Sequence, residues 1–266
     1  MNHLSPILNE DYQVLRLTID LIAYRLGKKL DRNPTFDERG LTDILLDMLQ
    51  EYLLHIPTSK YFINLQVTKP SEKKTGADIL FRIKTLKPEI QFDRYLLIQA
   101  KKFLTDKGLF SETDIGNKHL SGQIERMHIY NPEFSYILLY SNLLKPKGNT
   151  VTYNLDPLLD IFLKLSAAYA EFDSPEKYYS LLDGGLKPQT VKNIKENYPV
   201  AFLRSKTWGQ LRNNEPESLL NYSETFSNFL LDDIVSGKIG KEWDSEIEKV
   251  QSQFSFVVTL SVGQQG

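Results

Sequence analysis

Two apolar segments, each bordered by polar chemistry at one end, constrain the fold of this chain more than any other feature. Residues 79–83 read Ile-Leu-Phe-Arg-Ile and directly follow Asp78, and residues 95–98 read Tyr-Leu-Leu-Ile and directly precede Gln-Ala-Lys at 99–101. Runs of this length and composition, separated by a polar turn, predict two neighbouring β-strands. Because paired strands lie about 5 Å apart, an acid on one strand and a lysine on the other can meet.

The side chains at the ends of these strands have the chemistry of a cation and phosphate site. Gln99 and Lys101 are two residues apart, so they share one face of the predicted strand. Together with Asp78 they would place a carboxylate, an amide oxygen and an ammonium in one spot. Oxygen ligands suit a divalent metal, and an ammonium suits a phosphate. The small residues Gly76 and Ala77 before the acid would let a substrate backbone approach.

The surrounding segments predict an α/β fold with a mixed sheet flanked by helices. Helical spacing of apolar residues predicts a first helix over Tyr12–Leu26 and a second that starts at Glu38 or Thr42 and ends before Pro57. Further elements are predicted as strands over Tyr61–Thr68 and Ser135–Tyr140 and as a helix over His119–Tyr130.

The C-terminal part of the chain predicts mainly helices. A polar stretch at residues 145–149 divides the sequence into a core, 1–148, and a C-terminal region, 149–266. The region is predicted to contain helices over Leu155–Tyr169, Pro188–Tyr198 and Ser218–Ser236, and a late strand over Phe254–Val262. If that strand returns to the first sheet, both parts belong to one domain.

The order of strand, acid, strand and Gln-Ala-Lys resembles the PD-(D/E)xK nuclease superfamily, which has the restriction-endonuclease-like fold. Asp78 matches the first acid of that motif and Lys101 the lysine, while Gln99 stands where Glu or Asp is usual. The resemblance extends over roughly residues 38–141. It implies a nuclease that uses Mg²⁺, with Mn²⁺ as a substitute, and in which Lys101 assists catalysis.

The resemblance also implies further metal ligands. The backbone carbonyl of Ala100 would bind the metal together with Asp78 and Gln99, and Glu38 would reach the site from the helix that precedes the strands. Asp43 is the alternative acid in that helix. Acidic residues at a helix N-terminus are also explained by capping and by the helix dipole alone.

Substrate contacts are implied for a second group of residues. Several nuclease families carry a glutamine on the helix after the lysine, and Gln123 matches that position. Arg126 lies three residues further on the same helical face and would bind phosphate. Lys102 belongs to a predicted basic rim along a phosphate backbone. Each of these side chains is equally consistent with a solvated surface.

The resulting hypothesis is a metal-dependent endonuclease that cleaves DNA, of the type found in bacterial restriction and anti-phage defence. Such enzymes often form homodimers, and a partner protein in the defence system is an option. A second hypothesis is a nucleic-acid-binding or interaction module that has lost catalysis, which the neutral Gln99 favours. A third is an α/β interaction protein in which Asp78 and Lys101 lie apart and face different ways.

Composition limits the remaining function classes. The chain has no cysteine and a net charge of −2, which excludes a thiolate site and gives no global signal for nucleic acid. No apolar run approaches the roughly 18 residues of a membrane span. These features predict a cytoplasmic protein without membrane association.

Overall fold

The strands predicted around the acid and the lysine come together in one mixed sheet. The computed structural model describes residues 32–54, 61–70, 75–85, 91–103, 118–141, 200–204, 224–226, 228–235 and 237–264, with single positions between 15 and 30. The strands are β1 Tyr61–Thr68, β2 Ile79–Thr85, β3 Asp93–Phe103, β4 Ser135–Ser141, β5 Val200–Arg204, β6 Glu224–Thr225, β7 Lys241–Glu242 and β8 Phe256–Gln264. Neighbours follow the order β1, β8, β2, β3, β4, β5, β6, and β7 pairs with β3.

Both strand directions occur in this sheet. Strands β2 and β3 form an antiparallel pair in which Ile79 lies opposite Ile98. Strand β4 runs parallel to β3, and β8 runs parallel to β2 but antiparallel to β1. The α/β class and the mixed sheet flanked by helices are therefore confirmed.

Two of the described helices follow the predicted positions closely, whereas the short helix Ser245–Val250 was not predicted. The described helices are α1 Glu38–Leu54, α2 Lys118–Tyr130 and α3 Ser245–Val250, with a π-helical segment Asn228–Val235 and a single 3₁₀ turn Gln251–Gln253. The described positions between 15 and 30 are also helical. None of the helices within the described residues combines the length and the apolar character that crossing a bilayer requires.

The sheet lies between two helical layers. Side chains such as Phe81 and Ile98 share a core with Leu45 of α1, whereas Leu80 and Leu97 share a second cluster with residues of α2 and α3. This division follows from the alternation of side chains along a strand. By the same alternation, Gln99 and Lys101 continue the face of Leu97, and Ala100 continues the face that packs toward α1.

The C-terminal end of the chain completes the central sheet. The predicted late strand is confirmed as β8, which lies between β1 and β2 and hydrogen bonds to both. The helices predicted over Leu155–Tyr169 and Pro188–Tyr198 lie outside the described residues, and only part of Ser218–Ser236 is described, as the π-helical segment. The division after residue 148 also falls outside them and stays a prediction.

A buried pair of hydroxyl groups ties α1 to β4. The Thr42 hydroxyl donates to the Glu38 carbonyl at 2.8 Å, so it accepts from the Tyr140 hydroxyl, 2.9 Å away. Burial raises the pKa of Tyr140 far above its ordinary value of 10.0. The tyrosine therefore stays protonated in the folded protein at pH values at which it ionises in the unfolded chain.

We expect the free energy of unfolding to fall as the pH rises above about 10, because only the unfolded chain then releases the Tyr140 proton. Urea unfolding at pH 8 to 11 measures this dependence. The matched variant Tyr140→Phe should show a shallower fall. A residual slope is expected, since burial also raises the pKa of Tyr95. Identical slopes for the two proteins would contradict the assignment.

Candidate active site

Strand β3 extends beyond its neighbour β2, and the candidate site lies at the point where their pairing ends. The pairing of β2 with β3 ends at Ile79 and Ile98, but β3 continues beside β4 as far as Phe103. Along the edge that pairs with β2, no strand among the described residues lies next to β3 after Ile98. Backbone groups there need other partners, because buried N–H and C=O groups are almost always hydrogen bonded.

Asp78 supplies the first of these partners. Its backbone is held on both sides, since its N–H donates to the Ile98 carbonyl at 2.9 Å and its carbonyl accepts from the Phe256 N–H at 2.9 Å. Its side chain is 7% exposed. Carboxylate oxygen Oδ2 accepts the N–H of Ala100 at 3.0 Å. The acid thus continues the hydrogen bonding of β2 along β3 with a side chain in place of a strand.

Gln99 bridges the acid and the next backbone carbonyl. Its Nε2 donates to Asp78 Oδ2 and also to the Ala100 carbonyl, at 3.0 Å for the latter. Both of these partners only accept hydrogen bonds, so the nitrogen end of the amide must face them. The oxygen end, Oε1, is buried and meets no hydrogen-bond donor in the described part of the chain.

Glu38 reaches the same edge of β3 from the first turn of α1. The helix starts here because Asp37 caps it, with its Oδ1 accepting the Gly40 N–H at 2.6 Å. Glu38 Oε1 lies 3.5 Å from the N–H of Lys102. The helix dipole favours both acids at this position.

Lys101 and Lys102 have different surroundings. Lys101 is 7% exposed and lines the cavity beside Asp78. The Lys102 ammonium instead donates to the carbonyls of Pro34, at 3.0 Å, and Phe36, at 2.9 Å. Adjacent residues of a strand point to opposite faces, so the Lys102 side chain lies on the face of β3 opposite to Lys101, and its contact with substrate stays a prediction. Its side chain anchors the segment before α1.

Helix α2 closes the other side of the site through a very close approach to Gly76. This glycine has φ +83°, and a Cβ at its position would lie 2.3 Å from the Gln123 carbonyl and 3.0 Å from the Arg126 Cβ. The absence of a side chain lets the residues before Asp78 lie directly on the helix. Gln123 and Arg126 are thereby brought beside the acid, and Gln123 Oε1 is buried without a donor among the described residues.

These elements enclose a cavity of about 470 Å³, which is the size of many small-ligand sites. It is lined by Asp37, Glu38, Arg39, Gly76, Ala77, Asp78, Gln99, Ala100, Lys101, Gln123 and Arg126. Every residue predicted as catalytic or metal binding is among them. Lys102 is not, and Asp43 pairs with Lys69 at 2.8 Å on the exposed side of α1.

Two lining residues, Asp37 and Arg39, were not predicted as part of the site. Asp37 and Arg39 flank Glu38 and enter the cavity with the first turn of α1. Their position next to Glu38 in the sequence could have indicated that they belong to the site. Gly76 was predicted to admit a substrate backbone, whereas here its missing side chain admits helix α2. That helix lies about forty residues away in sequence, so local reasoning could not identify it as the partner.

The oxygen atoms of the cavity fit a hard divalent cation. Within the described ranges no three Asp, Glu or His side chains converge on one point, so a cation would depend on a mixed set of oxygens. Asp78 Oδ2 and the Ala100 carbonyl both hydrogen bond to one nitrogen atom, which places them around a common point. Carboxylate, carbonyl and amide oxygens are the ligands that Mg²⁺ and Ca²⁺ take, and the unpartnered Gln99 Oε1 belongs to this group.

Comparisons with known proteins found no matching family model, no similar curated protein and no similar solved structure. The residues of the cavity and their chemistry are therefore the basis for assigning a function.

We expect Gly76→Ala to lower the free energy of unfolding by about 1–3 kcal/mol, because a positive φ is strained for alanine and its Cβ would collide with α2. Urea unfolding measures the change. The matched control is Gly122→Ala, in which the new Cβ would meet only the Arg126 Nη1 at 3.7 Å. Alanine favours a helix, so this control should be neutral or stabilising. Equal destabilisation by both changes would refute the close-packing argument.

Lys102→Met should loosen the first turn of α1, because the carbonyls of Pro34 and Phe36 lose their common donor. A cost of about 1 kcal/mol is expected from these hydrogen bonds. Amide hydrogen exchange should accelerate at Gly40 and Leu41. Lys101→Met is the control, since it makes the same change on the opposite face and should leave this exchange as it is. No acceleration in Lys102→Met would disprove the anchoring role.

Proposed function

We propose that the protein is a divalent-metal-dependent nuclease that hydrolyses phosphodiester bonds, with DNA as the favoured substrate and a restriction-endonuclease-like arrangement as its fold. The observation that carries the proposal is the convergence of Asp78, Gln99, Ala100 and Lys101 with Glu38 around one cavity. Asp78 and Lys101 both line this cavity, whereas the third hypothesis has them apart and facing different ways. Oxygen ligands for a cation and an ammonium for a phosphate thus occupy one place.

The charges of the cavity support an anionic substrate in combination with a cation. Its ionisable lining residues are Asp37, Glu38, Asp78, Arg39, Lys101 and Arg126, so three acids balance three bases. A divalent cation would make the cavity net positive. A phosphodiester, which carries one negative charge, would complement that excess.

The chain's own residues would divide the work of hydrolysis. Asp78, the Ala100 carbonyl, Gln99 and Glu38 would hold Mg²⁺ or Mn²⁺, which when bound lowers the pKa of a coordinated water and polarises the phosphate. Lys101 would orient the attacking water or stabilise the negative charge that develops on the phosphate oxygens.

The residues of α2 would position the nucleic-acid strand. Arg126 would bind a phosphate oxygen, for which a guanidinium is well suited. The Gln123 side chain presents an acceptor without a partner in the described residues and would orient the strand by a hydrogen bond. Neither contact takes part in the chemical step.

A second function is favoured by one specific observation. The Nε2 group of Gln99 already satisfies Asp78 Oδ2 and the Ala100 carbonyl, so the acid has a partner in the absence of a cation. This arrangement suits a nucleic-acid-binding or interaction module on a nuclease-like scaffold that has lost catalysis.

The biological setting remains part of the proposal. A nuclease of this kind would act in the cytoplasm, as a homodimer that cuts both strands and within a restriction or anti-phage system that includes a partner protein. The lack of cysteine is compatible with a reducing compartment.

Cleavage of supercoiled plasmid and linear DNA with Mg²⁺ or Mn²⁺ tests the nuclease directly. We expect metal-dependent cutting by the wild type, and a loss of at least about a hundredfold in both Asp78→Asn and Lys101→Met, since the first weakens the hold on the metal and the second removes a positive charge from the phosphate. Asp47→Asn and Lys238→Met are the matched controls, because both residues are exposed and lie outside the cavity.

The outcomes separate the two functions. No cutting by a folded wild type that still binds DNA in a Lys101-dependent manner would favour the binding module. Cutting that survives both cavity substitutions would refute the assignment of the site.

A further inference from the structure

The carboxamide of Gln99 lies at the point a cation would occupy between Asp78 and Ala100. Its Nε2 hydrogen bonds to the carboxylate of the first residue and to the carbonyl of the second. A nitrogen that donates to two acceptors has the same partners as a small cation held by two oxygens. The amide is 2% exposed, so water does not compete for these positions.

The opposite end of the same amide is unsatisfied. Gln99 Oε1 is buried and finds no donor among the described residues. A buried acceptor without a partner reduces stability, and reversing the amide would be worse, because Oε1 would then face two other oxygens. In either orientation, therefore, one end of the amide lacks a favourable partner. A cation bound between the oxygens would reverse the preference, because it attracts Oε1 and repels the NH₂ group.

We propose that Gln99 is a two-position ligand that responds to the divalent cation. In the metal-free protein its Nε2 lies between Asp78 and Ala100. On binding, the side chain withdraws from this point to make room for the cation and its amide makes a half-turn about its terminal bond, so that Oε1 joins Asp78 and Ala100 around the metal. This inference rests on the cation site of the proposed function. It adds that the empty site is internally satisfied and that the cation must displace two hydrogen bonds in order to bind.

The half-turn has a direct spectroscopic signature in the wild-type protein. In ¹⁵N NMR spectra the side-chain NH₂ protons of Gln99, identified by their absence in Gln99→Glu, should exchange slowly without metal because both are buried and one group bridges two acceptors. Mg²⁺, added at concentrations chosen from the Kd that calorimetry gives, should shift these signals and accelerate the exchange of these protons with solvent. The NH₂ group of Gln66, which is exposed on β1, is the internal control and should not respond.

Replacement of the amide by a carboxylate provides an independent test. Gln99→Glu cannot donate to Asp78 and adds a negative charge. Because affinity for a hard cation rises with the charge of its oxygen ligands, its Kd for Mg²⁺ in calorimetry should be roughly ten- to a hundredfold lower than that of the wild type. Its melting temperature should be lower than that of the wild type without metal and should rise more on addition of Mg²⁺. Gln66→Glu is the control for the added charge and should leave the Kd unchanged.

Binding of Mg²⁺ together with the NH₂ response and the lower Kd of Gln99→Glu would establish the two-position ligand, whether or not the protein cuts DNA. Binding of Mg²⁺ with unchanged NH₂ exchange, or a Kd for Gln99→Glu equal to that of the wild type, would overturn it while leaving metal-dependent cleavage intact. Absence of Mg²⁺ binding in both proteins would overturn it as well. The cleavage assay therefore tests the proposed nuclease, and the NH₂ response and the Kd test the two-position ligand.

Discussion

The unequal length of β2 and β3 is the constraint on which the rest of the site depends. Beyond Ile98, strand β3 keeps its partner β4 but has no described strand on its other edge. Its backbone groups are met by side chains instead, with Asp78 accepting from Ala100 and Glu38 from Lys102. Polar side chains are stable at this buried edge because the backbone N–H and C=O groups there have no neighbouring strand and need hydrogen-bond partners. The same parting of strands leaves room for a ligand.

Two helices convert this gap into a cavity, and each is held by a contact with little tolerance. Lys102 ties the segment before α1 to the end of β3 through two backbone carbonyls. Gly76 lets α2 lie against the residues before Asp78, at a distance that any side chain would prevent. Sites that require side chains within a few tenths of an ångström are supported in this way by rigid elements and their packing.

Gln99 gives the site its particular electrostatic character. A carboxylate at this position would face Asp78 in the absence of a cation, and the two negative charges would repel each other in a buried environment. The neutral amide removes that repulsion by donating to the acid, which stabilises the metal-free protein and, at the proposed cation site, would lower the affinity for the cation. The same side chain thus accounts for both functions that the cavity supports, since an amide that already satisfies the acid suits a metal-free binding module, and an amide that turns suits a metal-dependent enzyme.

Local sequence patterns located the central strands, two of the helices and the chemistry of the site, but not the short elements Val200–Arg204, Glu224–Thr225, Lys241–Glu242 and Ser245–Val250. How the elements assemble depends on contacts that form only in the folded chain. Periodicity predicted β1 over Tyr61–Thr68 and a start of α1 at Glu38 or Thr42, of which the folded chain has Glu38. The two-residue spacing placed Gln99 and Lys101 on one face, because these are properties of neighbouring residues. The pairing of β8 between β1 and β2 and the role of Lys102 as an anchor depended on contacts between residues far apart in the chain. The approach of Gly76 to α2 and the orientation of the Gln99 amide depended on which groups lie opposite each other in space. Such contacts leave no local pattern, since hydrogen-bond partners and close packing are selected only when the whole fold is formed.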